Sequence, residues 1–412
     1  MKYRINDSFA LSRPPEGPVA SYIISFSGSL VDRGYSLVST RNQVQMAAGF
    51  SNWLRQNRID LADIRGEHSE RYLQERAQFR RPRRGDDAAL RHLLDFLRSV
   101  GAIPEDVENE CQPSPVELHL QAYESYLRDA RALNRQTIVN YRPVIRDFLH
   151  FRFSDGAVSL AELRAVDVTD FVQKRTSRLN IRRAKIMTTA LRSFLSYVRY
   201  NGEITSDLAA AVPIVANWRL SSIPRAISRD DATRLLASID RRTPIGCRDY
   251  AMILMLARLG LRSSEVITLE LDDIDWVAGQ IRVRGKSGQR NDLPLPADVG
   301  EAIAHYLRNG RPRSACRHVF LRDKAPIQGF EGPSGFGCVI RRRLRRAGIN
   351  APTTGAHQFR HGLASEMLHG GASLAEIGEV LGHRHVETTA IYAKVDLNTL
   401  RTLAVAWPGE VQ

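Results

Sequence analysis

The sequence is poor in lysine, in closely spaced cysteines and in long hydrophobic runs. Only six of its 59 basic residues are lysine, which leaves 53 arginines. The longest apolar run, residues 250–257, is too short to span a bilayer, and residues 1–17 lack the hydrophobic stretch of a secretory signal. The four cysteines are far apart and form neither a zinc pattern nor a disulfide framework. We therefore expect a cytoplasmic protein with no membrane partner.

The charge balance is strongly basic. Fifty-nine Lys and Arg against 45 Asp and Glu give the 412-residue chain a net charge of +14. Codon usage can favour arginine over lysine, but it does not produce a net charge. Because a guanidinium group can bind two phosphate oxygens at once, an arginine-rich basic chain suggests a polyanionic partner.

Two polar, proline-bearing stretches at residues 104–115 and 211–224 divide the chain. We predict an N-terminal helical domain at 1–110, a second helical domain at 111–215, and a domain with helices, strands and a C-terminal tail at 225–412. The expected fold class is therefore mainly α with a small β-sheet, in which α-helical N-terminal bundles precede an α+β domain.

The first two segments resemble each other. Residues 90–103 match residues 191–204 at an offset of 101, and residues 61–64 match residues 160–163 at an offset of 99. Chance similarity between two amphipathic helical bundles is the alternative interpretation. The kept order and the shared glycine at the helix end favour a repeat of one helical unit.

The third segment carries helix and hairpin signals. Ser228 is a candidate N-cap, and residues 280–284 and 292–296 flank a Gly-Lys-Ser-Gly turn that predicts a hairpin. Ser373 and Glu376 have capping-box spacing and predict the start of another helix.

A cluster of arginine, histidine and tyrosine residues follows. His357, Arg360 and His361 lie at i, i+3 and i+4, so they share one face of a helix. Arginines can neutralise a phosphodiester, a tyrosine can attack it, and a histidine can move the proton. A zinc helix is the alternative for the two histidines, but Gln358 replaces the glutamate of HExxH. We expect neither a metal nor another cofactor.

Taken in order, the motifs resemble those of the tyrosine recombinase (phage integrase) family. The resemblance covers about residues 228–400, and the helical segment 115–210 more weakly resembles that family's core-binding domain. The motifs are LGLRSSEVITL at 259–269, Gly-Lys at 285–286, H-x-x-R-H at 357–361, L-G-H at 381–383 and T-T-x-x-Y at 388–392.

The resemblance implies metal-independent cleavage and rejoining of DNA through a 3′-phosphotyrosyl link. It assigns the roles by position: Arg262 and Arg360 clamp the phosphate, Lys286 is the general acid, His357 is an acid or base, His383 supports the phosphate, and Tyr392 is the nucleophile. Glu265 is expected to support the turn that carries the first arginine.

Basic clusters elsewhere predict phosphate contacts. The residues are Arg182, Arg183, Lys185, Arg341, Arg342 and Arg345. The implied partners are double-stranded DNA and a homo-tetramer on paired DNA sites, with accessory recombination proteins left open. The N-terminal segment favours an integrase or transposase of a mobile element. A Xer-like resolvase, a type IB topoisomerase-like enzyme and a non-catalytic DNA-binding protein on the same scaffold are the alternatives.

Overall fold

The chain forms two compact units: residues 1–104 together with 222–412, and residues 105–221. The computed structural model describes residues 3–6, 9–83, 85–104, 114–154, 156–215, 224–285, 290–383 and 385–394. Its described part is mainly helical with two small antiparallel sheets, which confirms the predicted fold class. None of the helices described is both long and apolar enough to cross a membrane.

The N-terminal part of the first unit has four helices over one hydrophobic core. They are α1 (Ile23–Asp32), α2 (Leu37–Gln56), α3 (Gly66–Phe79) and α4 (Asp86–Ser99). The helical prediction missed a hairpin of strands β1 (Tyr3–Asn6) and β2 (Phe9–Leu11). The hairpin forms because Ile5 and Leu11 bury their side chains in the same core.

The second unit is also a four-helix arrangement around its own core. Its helices are α5 (Pro115–Ser125), α6 (Arg135–Phe153), α7 (Ala165–Thr176) and α8 (Ile181–Tyr200). The side chains of Ser114, Asn134 and Asn180 cap α5, α6 and α8 by accepting backbone N–H bonds. These caps fix where each helix begins.

The rest of the first unit surrounds α10 with helices and a three-stranded sheet. Its elements are α9 (Arg229–Ala237), α10 (Pro244–Leu259), α11 (Ser263–Ile267), β3 (Ile274–Asp275), β4 (Gln280–Arg284), β5 (Arg290–Pro294), α12 (Ala297–Asn309), α13 (Pro333–Arg346), α14 (His357–His369), α15 (Leu374–Val380) and α16 (Val386–Thr389). Short 3₁₀ turns lie at Ala20–Tyr22, Leu61–Asp63, Leu160–Glu162, Leu271–Asp273 and Ala390–Lys394, and a wider turn lies at Tyr126–Ala130.

Two predicted caps and the predicted hairpin are present in this part. Ser228 accepts from Asp231 N (3.0 Å), and Ser373 forms the full capping box with Glu376. Strands β4 and β5 pair antiparallel, but β5 begins and ends two residues earlier than predicted. The strand stops there because Pro296 occupies the N-cap of α12.

A buried ion-pair network ties α10 to α13. The carboxylate of Asp249 is fully buried and accepts from Arg248 Nη2 (2.7 Å) and Arg343 Nε (2.7 Å). A buried carboxylate is costly unless it is paired and hydrogen-bonded. The two elements therefore hold each other in place through this group.

We expect Asp249→Asn to lower the free energy of unfolding by about 3–5 kcal/mol, because it leaves Arg343 buried without its anion. It also leaves Arg248 with only the carboxylate of Asp323, at 3.4 Å. Urea unfolding followed by circular dichroism measures the change. Glu331→Gln, at the exposed pair with Arg322, is the matched control and should change the value by no more than about 0.5 kcal/mol. Equal values for both variants would contradict the structural role of the network.

Candidate active site

The turn after α10 positions Arg262. Gly260 ends the helix with φ +60°, and a Cβ atom there would lie 2.7 Å from Leu381 Cδ2. Glycine is required by both the left-handed backbone and this close approach. Glu265 accepts from Arg262 N (2.8 Å) and from Arg262 Nη1 (2.7 Å). The expected supporting role of Glu265 thus corresponds to two hydrogen bonds that fix the arginine.

Arg360 joins this turn to the end of α15. Its side chain is buried; Nη1 donates to Gly260 O (2.8 Å), and Nη2 donates to Leu381 O. Burial and the neighbouring charge of Arg262 lower the pKa of Arg360 to about 10, so it remains charged at neutral pH. Two cations held close together favour an anion between them.

A cavity of about 730 Å³ opens beside these arginines. Of the predicted residues, Arg262, Arg360 and His383 line it, and Arg290 of β5 adds a third guanidinium. Three carboxylates also line it: Glu265, Asp292 and Glu379. The first two are paired with Arg262 and Arg282. Lys286 lies outside the described residues.

His383 follows α15 and faces the cavity. Its Nδ1 lies 2.7 Å from Thr389 Oγ1. Burial, with the charges of Arg360 and Arg262, lowers the pKa of His383 to about 4. The ring is therefore neutral near pH 7 and can hydrogen-bond an anion without adding charge.

Tyr392 is only 1% exposed, and its hydroxyl lies 2.9 Å from Nδ1 of His361. Burial raises the pKa of Tyr392 above its ordinary value, and the charge of Arg360 offsets part of that rise. The pKa of His361 is lowered by burial and by His357 and Arg360, so its ring is neutral near pH 7. A neutral imidazole at this distance can accept the tyrosine proton.

His361 is the site residue that the sequence analysis did not select. The structure places His357 at the exposed first position of α14, with its ring centroid 6.4 Å from that of His361. The i, i+4 spacing placed both on one face, but the spacing alone does not show which ring meets Tyr392. The described residues contain no group of three or more side chains placed to hold a metal ion.

The predicted phosphate-contacting residues differ in their surroundings. Arg342 is half-buried, and its guanidinium lies 3.3 Å from the carboxylate of Asp249, so part of its charge is already balanced. Lys185 is half-buried as well. Four of these residues are exposed: Arg182, Arg183, Arg341 and Arg345.

Comparison with known proteins gives two family matches. Residues 225–398 match the phage integrase family, and residues 120–202 match the phage integrase N-terminal SAM-like domain. The protein y4rA of Sinorhizobium fredii (strain NBRC 101917 / NGR234), provisionally named an integrase/recombinase, is 76% identical over 412 residues and all of both chains. Tyrosine recombinase XerD of Listeria monocytogenes (serotype 4b, strain F2365) is 30% identical over 270 residues, which are 64% of this chain and 90% of that one.

Solved structures share the fold. XerH bound to a palindromic difH substrate, in a post-cleavage complex, matches over 99% of both chains with a TM-score of 0.56 and 19% identity. A lambda integrase dimer bound to a COC′ core site matches over 67% of this chain and 94% of that chain, with a TM-score of 0.52 and 16% identity. The family matches and the full-length relative show that the chain belongs to the phage integrase family of tyrosine recombinases.

Proposed function

We propose that this chain is a site-specific DNA recombinase whose Tyr392 forms a 3′-phosphotyrosine. The observation that carries the proposal is the cationic cavity of Arg262 and Arg360 beside a buried tyrosine. His383 connects the two, because it lines the cavity and its ring stacks against that of Tyr392 at 6.5 Å between centroids.

The substrate that fits this cavity is a phosphodiester of duplex DNA. Its single negative charge would lie between the guanidinium groups of Arg262 and Arg360 and would offset the repulsion between them. The charge that develops on the non-bridging oxygens would strengthen both contacts in the transition state. Each arginine is held by protein groups beforehand, so little reorganisation accompanies the reaction.

The chemical step follows from these positions. Tyr392 Oη attacks phosphorus as its proton passes to a histidine, and the bond from phosphorus to the 5′-oxygen breaks. The resemblance to the family assigns Lys286 to protonate that oxygen. Attack by a free 5′-hydroxyl reverses the sequence and rejoins the strand. The phosphotyrosine keeps the energy of the broken bond, so no cofactor is required.

The contact to Tyr392 favours His361 as the proton acceptor in the resting state. His357, which the resemblance assigns as acid or base, is exposed at the start of α14. Its exposed place at the helix end puts it on the side of α14 that bound DNA would cover. We therefore assign the first proton transfer to His361 and later proton transfers to His357.

Recombination of two duplexes requires four strand cleavages, hence four copies of Tyr392 and a homo-tetramer on paired sites. We favour the integrase or transposase of a mobile element over a Xer-like resolvase. The support is sequence identity: y4rA, named an integrase/recombinase, is 76% identical along the whole chain, whereas XerD is 30% identical over 64% of it and XerH, which covers 99% of the chain, is 19% identical. We expect the protein to act in the cytoplasm. Whether accessory recombination proteins take part is left open.

We expect Tyr392→Phe to abolish the covalent intermediate and to leave DNA binding intact, because only the hydroxyl is removed. Nicked suicide duplexes made from DNA flanking the gene should trap a denaturant-stable protein–DNA adduct with the wild type alone. Tyr200→Phe, at an exposed tyrosine of α8, is the matched control and should keep the full adduct yield.

Two results would contradict this assignment. An adduct that persists in Tyr392→Phe would exclude this nucleophile, and binding without any adduct in the wild type would favour the non-catalytic protein. Relaxation of plasmid DNA without site preference would favour the topoisomerase-like enzyme.

We expect His361→Gln to slow single-turnover cleavage at pH 7.5 by at least about 100-fold, because the proton acceptor is lost. The lowered pKa of His361 means that the wild type keeps a neutral ring down to below about pH 6.5 and loses rate only under more acidic conditions. That acidic decline should disappear in the variant.

The matched control is His369→Gln on the same helix, where the imidazole is exposed and its Nδ1 lies 2.7 Å from Ser365 O. It should reproduce both the rate and the pH profile of the wild type. An unchanged profile in His361→Gln would assign the first proton transfer to another group.

A further inference from the structure

The segment after α15 holds the backbone of His383 in a fixed place. Helix α15 ends in a Schellman motif, in which His383 N donates to Gly378 O (2.8 Å). In the same motif Gly382 N donates to Glu379 O (2.9 Å). These bonds leave the orientation of the imidazole ring, and the place of its proton, to be set by the side chains around it.

Thr389 is the side chain that reaches this ring. It is the last residue of α16, is buried, and places Oγ1 2.7 Å from Nδ1 of His383. The approach depends on Gly378, because a Cβ atom there would lie 3.0 Å from Thr389 Oγ1, closer than ordinary van der Waals contact. The absence of a side chain at this position of α15 therefore makes room for the hydroxyl beside the histidine.

The burial of the Thr389 hydroxyl determines the direction of this hydrogen bond. Within the part of the chain that the structure describes, Nδ1 of His383 is the one acceptor within hydrogen-bond distance of that hydroxyl. If the ring donated from Nδ1 instead, Thr389 would keep its own proton buried without an acceptor, which is costly. The hydroxyl therefore donates, and Nδ1 accepts.

This direction selects one tautomer of His383. Burial, with the charges of Arg360 and Arg262, lowers the pKa of His383 to about 4, so the ring is neutral near pH 7 and carries one N–H. When Nδ1 accepts, that proton is on Nε2. The covalent geometry of imidazole directs Nε2 away from Thr389, and His383 lines the cavity beside the two arginines. A protonated Nε2 can donate to a phosphate oxygen, whereas an unprotonated Nε2 would turn a lone pair toward it.

A hydroxyl suits this place better than a group that only accepts. A carboxylate or a carbonyl next to Nδ1 would keep the proton on Nδ1, or it would favour the charged ring. A threonine can donate instead, so it leaves the ring neutral and the proton on Nε2. It does so without adding charge beside Arg262 and Arg360.

We propose that Thr389 is a positioning residue for DNA cleavage: its hydroxyl holds His383 in the tautomer whose Nε2–H donates to the scissile phosphate. The inference deepens the proposed function and rests on it, since it requires a phosphate in the cavity. Thr389 acts through the histidine and needs no contact with DNA. Because Thr389 lies three residues before Tyr392, the same hydrogen bond also ties the nucleophile's segment to the ring that supports the phosphate.

The tautomer is tested first, in the full-length protein without DNA. Selective isotope labelling of histidine and long-range proton–nitrogen correlation spectra distinguish a ring protonated on Nε2 from one protonated on Nδ1, and His383→Gln identifies the signal. The wild type should show the Nε2–H form at pH 7. Thr389→Val removes the hydroxyl and keeps the side chain's shape, so this form should no longer dominate, whereas Thr389→Ser should retain it. A wild-type ring protonated on Nδ1 would overturn the proposal.

Single-turnover cleavage of the nicked suicide duplex tests the consequence for the reaction. Thr389→Val should lower the cleavage rate at saturating protein by about tenfold, the effect of one lost hydrogen bond. Thr389→Ser should restore most of the rate. The affinity for the duplex should stay within about twofold, because phosphate contacts outside the cavity are unchanged. In the His383→Gln background, Thr389→Val should have no further effect, because Thr389 acts through that ring.

The matched control is Thr388→Val, at the neighbouring threonine, whose side chain is exposed. It should keep the rate and the ring signals of the wild type. A loss from Thr389→Val that is as large in the His383→Gln background as in the wild type would overturn the proposal and leave Thr389 a purely structural residue. If the wild type forms no adduct, the proposed function fails, and the spectra alone decide whether Thr389 sets the tautomer.

Discussion

The buried guanidinium of Arg360 is the group on which the candidate site depends. Its two hydrogen bonds to Gly260 O and Leu381 O join the end of α10, the start of α14 and the end of α15. A buried cation is costly unless its donors are satisfied, so these three segments can meet in few other ways. The glycine is part of the same constraint, because a side chain at Gly260 would collide with Leu381.

This arrangement has an electrostatic cost, because it holds the positive charges of Arg262 and Arg360 close together. Burial and the charge of Arg262 lower the pKa of Arg360, and the carboxylate of Glu265 offsets only part of that effect. The hydrogen bonds that hold both side chains prevent them from moving apart. An anion in the cavity would relieve this repulsion, so under the proposed function phosphate binding and the relief of the repulsion are one event. Neutral His383 fits that scheme because it adds a hydrogen bond without more positive charge.

The sequence patterns could predict the features that depend on neighbouring residues in the chain, such as helix caps and the hairpin. The capping box at Ser373, the N-cap at Ser228 and the hairpin all follow from short-range signals, and three of the predicted residues meet in the cavity. The contact between His361 and Tyr392 depends on how the turn carrying Tyr392 packs against α14, and no local signal encodes that packing. For the same reason the end of β5 was misplaced: the following helix, and not the strand's own pattern, sets it.

The N-terminal helices and the second unit share one order of elements, in which a 3₁₀ turn precedes the third helix and a glycine with positive φ follows the fourth. One buried aromatic pair has a similar ring spacing in both, at 5.4 Å between Phe50 and Tyr72 and 5.2 Å between Phe148 and Phe171, while the interplanar angle changes from 54° to 70°. The net charge of the chain has two structural sources. The arginines around the cavity concentrate part of the positive charge in one place, and exposed arginines on the helices, such as Arg182, Arg183, Arg341 and Arg345, spread the rest over the surface.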